Sequence, residues 1–358
     1  LFVVVGAGIA GLAASLALAE FGEVHVLERR APDAANAGAG IQISPNAVKA
    51  LARIGAAAAV TAVAHTPDAL VVRAAGRRGA ITTLPYGSAM LTRYGAPYLT
   101  ASRAALHGAL LAAALKRGVK VHYDRNVRQV RRYDDHCAVD GVDMEARLVI
   151  AADGVNSAIR HAIVGDAPRS TGWIAWRGLG DTSGAATELV MAPGHHLVRY
   201  ALTDADANCV LVAPEKSRGP GGIARTHTGP LIADVGRWAP WPIAVRPRHV
   251  FAAGRVGFIG DAAHAMVPFM AQGAAMALED AAVLAHAVAA HGPTPAALTA
   301  YADARAPRTR RIAAMSTEQG QIYHMPFPLN LARDQTMKTL GPRMLHRRTD
   351  PVYRWTAP

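Results

Sequence analysis

The sequence predicts an α/β protein: a Rossmann-like dinucleotide-binding domain joined to an antiparallel β-sheet domain and completed by C-terminal helices. Three observations carry this prediction. An apolar run, Leu1–Val5, enters the turn Gly6-Ala7-Gly8-Ile9-Ala10-Gly11 and then a helix-forming stretch. From about Thr171 to Arg248 the chain changes to short β-like runs separated by Gly/Pro-rich loops. At Val250–Ile259 it returns to a buried-strand pattern, followed by long alanine-rich helices. The expected division is 1–170 for the dinucleotide-binding domain with inserted strands and 171–248 for a mainly antiparallel substrate domain. Residues 249–325 complete the first domain, and 326–358 form a tail.

The opening unit reads as strand, glycine turn, helix to about Phe21, and a second strand at Val24–Glu28. Each glycine has a separate reason. Gly6 permits the tight turn, Gly8 lets the backbone approach a pyrophosphate, and Gly11 lets helix and strand pack closely. The helix N-terminus then offers unpaired N–H groups to phosphate. Glu28 ends the second strand, where a carboxylate accepts hydrogen bonds from a ribose diol, and an acid there disfavours a 2′-phosphate.

Further along, Ser44-Pro45 starts a helix, with Ser at the N-cap and Pro at the first helical position. Ser102 opens a longer helix to about Lys116. Val119–Tyr123 and Leu148–Ala151 read as strands of the same sheet, and Val127–Val130 as a short connecting strand. Leu197–Leu202 and Cys209–Val212 are strands of the second domain. Helices are expected from about Gln272 to His291 and from about Pro295 to Tyr323, with an irregular, basic tail from Pro326. No solenoid repeat occurs.

Composition narrows the function classes. Formal net charge is +12, from 38 Lys and Arg against 26 Asp and Glu. The basic residues are scattered, and the nearest approach to a stripe, Arg305, Arg308, Arg310 and Arg311, reads as a solvated helix face. No nucleic-acid partner is expected; a basic surface also suits anionic substrates or a nicotinamide dinucleotide. Cys137 and Cys209 form neither a metal-ligand spacing nor a redox pair, and read as reduced thiols of a cytoplasmic protein. No metal site and no membrane span are expected. The chain opens inside an apolar run without an initiator Met, so a few residues are expected to precede it.

Three further motifs carry chemistry. In Gly254–His264 a strand delivers Asp261 at its C-terminal end, a usual ligand crevice, although Asp also caps turns there. Met266–Ala274 leads into a helix whose N-terminus favours negative charge, or is a plain glycine-containing helix start. Ala151–Ser157 with Arg160 places Asp153 in an Asp-Gly turn after a strand, an arrangement that also occurs without ligands.

Taken in order, the glycine fingerprint, the Asp-Gly motif and the Gly-Asp motif resemble the single-component FAD-dependent aromatic hydroxylases, the group A or para-hydroxybenzoate hydroxylase class. Gly38–Leu51 (GAGIQISPNAVKAL), Trp173–Gly178 (WIAWRG) and Gly254–Ala285 resemble its salicylate hydroxylase, 3-hydroxybenzoate 6-hydroxylase and 6-hydroxynicotinate 3-monooxygenase branch. The resemblance covers nearly the whole chain, while Cys209–Trp238 is shorter than the family pattern. It implies a glutathione-reductase-type FAD domain, with FAD held by Gly6, Gly8, Gly11, Glu28 and Arg29. It also implies Gln42 beside the isoalloxazine, Arg103 near the phosphates and a backbone contact from Val127 to the adenine. Asp153 belongs to a motif linked to both FAD and the nicotinamide cofactor. Asp261 matches the acid on the ribityl or pyrophosphate side, and Pro268, Gly273 and Ala274 match the loop lining the flavin.

The reaction that the resemblance implies is reduction by transient NADH or NADPH, then O2 addition and oxygen transfer from a flavin C4a-hydroperoxide to a small aromatic ring, with water excluded. A phenolic substrate reacts faster when deprotonated, and a histidine with a pKa near the working pH suits that task. His196 is the candidate. With Tyr200 it shares one face of a strand, and that spacing resembles the branch's histidine and tyrosine that touch substrate. A surface histidine pair and a packed tyrosine is the competing reading. His264 is expected to be structural. Arg177 and Arg199 suit a substrate carboxylate, or surface and structural roles. Two other functions stay open from sequence alone: hydroxylation or epoxidation of a larger metabolite, polyketide or quinolone, and a flavin-binding protein without turnover. The assembly is expected to be a monomer or homodimer.

Overall fold

The computed structural model describes residues 1–32, 40–182 and 184–358; Gly38 and Ala39, which begin the first branch-like segment, lie outside the described residues. In chain order, β1 (Phe2–Val5), α1 (Ile9–Leu18) and β2 (Val24–Leu27) open the fold. Then come β3 (Gly40–Ile43), α2 (Pro45–Arg53), α3 (Ala57–Thr61), β4 (Ala69–Ala74), β5 (Thr82–Pro85), α4 (Ser88–Tyr94), β6 (Leu99–Ser102) and α5 (Arg103–Lys116). A stretch of short strands follows: β7 (Lys120–His122), β8 (Val130–Arg132), β9 (Cys137–Val139), β10 (Glu145–Ala146) and β11 (Leu148–Ala151), before α6 (Ala158–Val164).

The second half carries β12 (Arg169–Asp181), β13 (Thr187–Ala192), β14 (His195–Ala201), β15 (Asp206–Pro214), α7 (Gly219–Ile223) and β16 (Ala239–Val245). The chain closes with β17 (Ala252–Ala253), β18 (Val256–Phe258), α8 (Asp261–His264), α9 (Gly273–His291), α10 (Pro295–Tyr323), α11 (Leu329–Leu340) and α12 (Pro342–Tyr353).

Two sheets organise these elements. The first runs β17-β18-β11-β1-β2-β7, parallel from β18 to β7. β1 and β11 are buried at every position, as central parallel strands covered on both faces must be. The second runs β16-β12-β15-β14-β13-β4-β5 and is antiparallel apart from the β4–β13 pair. It is therefore not confined to 171–248: β4 and β5 form one of its edges, and β12 starts at Arg169.

Three expectations change. Val250–Ile259 is a short hairpin, β17 and β18, because Gly254 takes φ +62° and turns the chain between them. The connecting strand begins at Val130 and not at Val127, with Asp124 in the left-handed region just upstream. The tail is helical. Pro342 sits at the start of α12, where its missing N–H costs nothing, and Leu345, Val352 and Tyr353 are buried. The tail's last carbonyls are also satisfied: Lys49 Nζ donates to Tyr353 O (2.9 Å), and Arg308 donates to Pro351 O (2.6 Å) and Val352 O (2.9 Å).

α9 is 19 residues long and apolar enough by composition to cross a membrane, a feature that counting uninterrupted apolar runs misses. In the fold 72% of that window is buried, packed against α1, α2 and α10 as a core helix. Arg305 and Arg308 are not a solvated stripe either. Arg305 pairs with Glu279 and Asp280 at 2.7 and 2.6 Å, and Arg308 pairs with Glu279 at 2.8 Å, all inside the fold. Arg310 and Arg311 remain exposed.

Candidate active site

At the glycine turn each glycine meets a different environment. A Cβ on Gly11 would lie 1.8 Å from Gly6 O, and one on Gly6 would lie 2.6 Å from Ala152 O, so both positions are closed by backbone packing. A Cβ on Gly8 would meet nothing within 4 Å. The turn therefore packs tightly behind and opens in front, where the α1 N-terminus presents its N–H groups.

Glu28 sits beside this opening. Its Oε2 accepts from Ala7 N (2.7 Å), and its Oε1 accepts from Arg30 N and Arg30 Nε (3.0 Å each). Burial alone would raise its pKa, but these donors outweigh burial and lower it, so Glu28 stays a carboxylate. Arg29 is exposed; Arg30 is the arginine that engages Glu28. His107 on α5 shares a 2.8 Å hydrogen bond with Ala7 O and ties α5 to the turn, a contact that no sequence motif announces.

Arg103, at the start of α5, and Asp261, at the start of α8, converge on the same side. Burial lowers the Arg103 pKa, the Asp261 carboxylate opposes that, and Arg30 adds repulsion. Ser102 caps α5, its Oγ accepting from Ala105 N at 3.0 Å, so the helix start that carries Arg103 is fixed. Asp153 follows β11. Its Oδ1 is buried without a hydrogen-bond partner among the described residues, and burial raises its pKa. Val127 is buried in the segment after β7.

The second part of the site lies against one face of the second sheet, which supplies Val72, Leu84, Leu189 and His196 to it. A cavity of about 110 Å³ is lined by Gln42 of β3, Tyr98, His196 and Val198 of β14, and the Pro268–Ala271 turn before α9. Gln42 Oε1 accepts from Tyr98 OH at 2.7 Å. The far wall is aromatic: Tyr86 and Tyr98 stack at 4.4 Å, and Tyr323 and Tyr353 complete it from α10 and α12. Ala271 takes φ +53°, which turns the chain into α9, and a Cβ on Gly273 would meet nothing within 4 Å. Gly273 and Ala274 thus begin a long helix at an open space.

His196 is 3% exposed, and its Nδ1 lies 2.8 Å from His324 Nε2. Burial drives its pKa well below the usual histidine range, so it is neutral and does not have the near-working-pH value expected of it. Tyr200 shares its face of β14 but does not line the cavity. Its ring packs against Gly40, where a Cβ would lie 2.6 Å from it, and beside Asn208. Arg199 pairs with Asp234 and Asp181 O on the far face, a structural role. Arg177 stacks over Trp241 at 5.3 Å and keeps a buried Nε without a partner among the described residues. His264 shares 2.5 Å with Asp280 Oδ2, and Asp280 also accepts from Gly260 N at 3.0 Å, so this pair fixes the backbone that presents Asp261. His324, Tyr98, Tyr323 and Tyr353 went unnoticed in the sequence. The one available signal was the spacing of Leu345, Val352 and Tyr353, which fall on one helical face once the tail is read as a helix. Among the described residues no cluster of His, Cys, Asp and Glu is placed to hold a metal.

The chain matches the FAD binding domain family over residues 2–225 and 223–316. It is 33% identical to 3-hydroxybenzoate 6-hydroxylase of Polaromonas naphthalenivorans, over 98% of this chain and 95% of that one. The chain belongs to the FAD binding domain family, among its single-component flavoprotein hydroxylases. A second relative of this hydroxylase is the 3-amino-4-hydroxybenzoate 2-monooxygenase of Streptomyces platensis, 34% identical over 94% of this chain and 92% of that one. Its fold matches Klebsiella pneumoniae HpxO, solved with FAD and uric acid, with a TM-score of 0.87, 24% identity, and coverage of 99% and 96% of the two chains. FAD is the hydroxylase's cofactor, and the open fronts of Gly8 and Gly273 and the unpartnered Asp153 Oδ1 fit it.

Proposed function

We propose that this flavoprotein hydroxylase uses NADH or NADPH and O2 to place one oxygen atom on a single-ring phenolic or hydroxybenzoate-type substrate held in the cavity beside His196. The observation that carries this reading is the size of the cavity. An apolar cavity of about 150 Å³ takes benzene, whereas drug-sized ligands fill about 300–1,000 Å³. At about 110 Å³ the pocket is smaller than either, which favours a single ring over a polyketide or quinolone. The hydroxybenzoate substrates named for the two relatives support the same class.

FAD, once bound and reduced, supplies the oxygen-activating chemistry. Gly6, Gly8 and Gly11 with the α1 N-terminus are assigned to the pyrophosphate, and Glu28 to the adenosine ribose, its remaining lone pairs taking the hydroxyls. Arg103 and Asp261 flank the phosphate and ribityl stretch, Asp153 supplies a buried carboxyl beside it, and Val127 supplies backbone to the adenine edge. Arg29, exposed, has the weakest geometric support. Gln42, Pro268, Gly273 and Ala274 bound the ring end, with the α9 N-terminus favouring negative charge there. His196 meets the substrate hydroxyl through Nε2, since Nδ1 is engaged by His324. Tyr200 supports β3 from behind through Gly40 and does not touch the ring. The tyrosine wall excludes water.

The test is NADH and NADPH oxidation by the FAD-loaded protein against hydroxybenzoates, salicylate and hydroxypyridine carboxylates, with product analysis. Substrate-stimulated oxidation with a hydroxylated product supports the reading. Bound FAD with no stimulated oxidation and no oxygenated product across the panel overturns it.

A further inference from the structure

The ring cavity and the space beside it differ in charge. An open cleft of about 740 Å³ lies between β12, β16 and α10, and Phe269 lines both it and the ring cavity. Of the cleft's two arginines, Arg169 is exposed, and Arg246 is held by Asp166 Oδ1 (3.0 Å) and Val155 O (2.6 Å). The ring cavity is almost without charge. Among the described residues that line it, Arg348 of α12 carries the one permanent charge. None of them is Asp or Glu, and burial keeps His196 neutral.

Arg348 is placed to use that charge. Its side chain is 21% exposed, so most of it is shielded from water. Nε donates to Gln319 Oε1 at 2.9 Å, which fixes the guanidinium against α10. Nη1 reaches Glu318 Oε1 at 3.3 Å, but that carboxylate is 57% exposed and water screens the pair. Asp350, two residues on, is taken by Arg93 at 2.7 Å. Among the described residues no hydrogen bond engages Nη2. The cavity also sets a spacing. Tyr323 links its two ends: the ring centre is 5.1 Å from that of His196, and the hydroxyl lies beside Gln319 and Arg348. His196 and the cation are thus separated by a phenol ring.

We infer that Arg348 selects the substrate: its guanidinium takes the carboxylate of a ring acid whose hydroxyl faces His196, with the two groups meta or para to each other. This inference rests on the proposed ring hydroxylation. A carboxylate here meets a cation with N–H groups to spare, and the pairing is charge-assisted and away from bulk water. A neutral phenol leaves those N–H groups without a partner. An ortho acid fails for another reason. Its hydroxyl and carboxylate are neighbours that bond each other, so it cannot present one to His196 and the other to Arg348. The selecting cation thus comes from a C-terminal helix, while the second sheet supplies the histidine.

The test reads binding and needs no turnover. The oxidised FAD-loaded protein is titrated with 3-hydroxybenzoate, 4-hydroxybenzoate, salicylate and the neutral 3-hydroxybenzamide, and Kd is taken from the change in flavin absorbance. The wild type should bind one of the first two about tenfold or more tighter than salicylate or the amide. Arg348→Met should weaken that acid about 10- to 100-fold, the scale of a lost charge-assisted hydrogen bond, and leave the amide Kd unchanged. Arg348→Lys should restore part of the preference, since the charge survives and the planar fork does not. Equal weakening of acid and amide in Arg348→Met would make Arg348 a structural residue and overturn the inference. An unchanged acid Kd in that variant also overturns it, as does wild-type protein that binds salicylate or the amide as tightly as the other acids. The same compounds are then followed under turnover with NADH and NADPH. If amide and acids are hydroxylated with equal kcat/KM, ring hydroxylation stands and the role of Arg348 falls. If no compound is bound or hydroxylated, the functional reading fails first, and this inference fails with it.

Discussion

The glycine turn and the ring cavity are built in opposite ways. The turn is made mostly from one stretch of chain, Phe2–Glu28, with Gly11 against Gly6 and Glu28 against Ala7, and Ala152 and His107 reach it from elsewhere. The cavity draws on β3, β14, the turn before α9, α10 and α12, so its walls come from residues as far apart as Gln42 and Tyr353. Local construction makes the turn resistant to change elsewhere and intolerant of change within it. Distributed construction lets the cavity vary, one wall at a time, around a fixed cofactor site. One architecture can therefore host several ring chemistries.

The largest expected effect lies inside the turn. Gly11→Ala would force its Cβ against Gly6 O at 1.8 Å, backbone that cannot yield without separating α1 from β1. A destabilisation of about 4 kcal/mol or more is expected, read as a fall in Tm and in folded yield. Gly8→Ala, three residues away, should leave Tm unchanged, because its Cβ enters empty space at an ordinary φ of −72°. It should instead crowd the cofactor. Overpacking costs about 1–3 kcal/mol, so the FAD Kd should rise about tenfold or more. If both variants lose stability alike, the turn has no open front and the contrast collapses.

Next in size is the buried ion cluster that links the two regions. Asp280 holds Gly260 N and His264, and Arg305 neutralises Asp280 and Glu279 from within the core. Arg305→Met strips the guanidinium from both buried carboxylates, leaving Glu279 to Arg308 and Asp280 to His264, and a loss of about 3–5 kcal/mol is expected in urea unfolding. A loss below about 1 kcal/mol would mean that the carboxylates take up protons or water readily.

This contrast also explains what was legible in the sequence. The turn was readable because strand, glycines, helix and acid follow one another at fixed spacing, and Leu148–Ala151 and Pro295–Tyr323 were placed to the residue because long apolar or alanine-rich runs leave no alternative. His196 was found through strand alternation, but alternation also nominated Tyr200. It cannot report that Gly40 crosses in front of that ring. His324 follows the end of α10 with no motif around it, so only the three-dimensional contact reveals it. The tail was misread because Pro342 and Pro351 look like breakers. One begins α12, and the other lies in its last turn, where the carbonyls of Pro351 and Val352 are taken by Arg308. The buried role of Arg305 was hidden because its partners lie 25 and 26 residues away, on another helix.

If the cavity is assembled wall by wall, one wall can fail alone. Tyr353→Ala removes the α12 contribution, and large-to-small changes of this kind cost about 3 kcal/mol. The fold and FAD binding should survive, while NAD(P)H oxidation continues with less hydroxylated product per nicotinamide consumed, since water then reaches the ring site. Tyr353→Phe should keep this ratio near wild type. An unchanged ratio in Tyr353→Ala would show that the tail is not a wall of the working cavity.

The smallest effect separates the glycine turn from the cleft beyond the ring cavity by pH. His249 borders the open cleft, is bonded to Thr309 Oγ1 at 3.0 Å, and burial holds its pKa down to about 4. In the unfolded chain a histidine titrates near about 6.5, so between these values the unfolded state binds more protons. The stability carried by neutral His249 is therefore complete above about 6.5 and is lost as pH falls toward 4. The ceiling is about 3 kcal/mol, and partial exposure of the ring halves it to about 1–2 kcal/mol. His249→Gln should flatten the fall in urea midpoint between about pH 7 and pH 4.5 by that amount. The glycine turn contributes in the opposite sense: Glu28 is held below its ordinary pKa, so its stability is present above the unfolded carboxylate value and fades only as pH drops through the lower folded one. Acid should thus loosen the cleft side first and the cofactor turn last. An unaltered slope in His249→Gln would place the early acid loss elsewhere, among His196, His324 and His107.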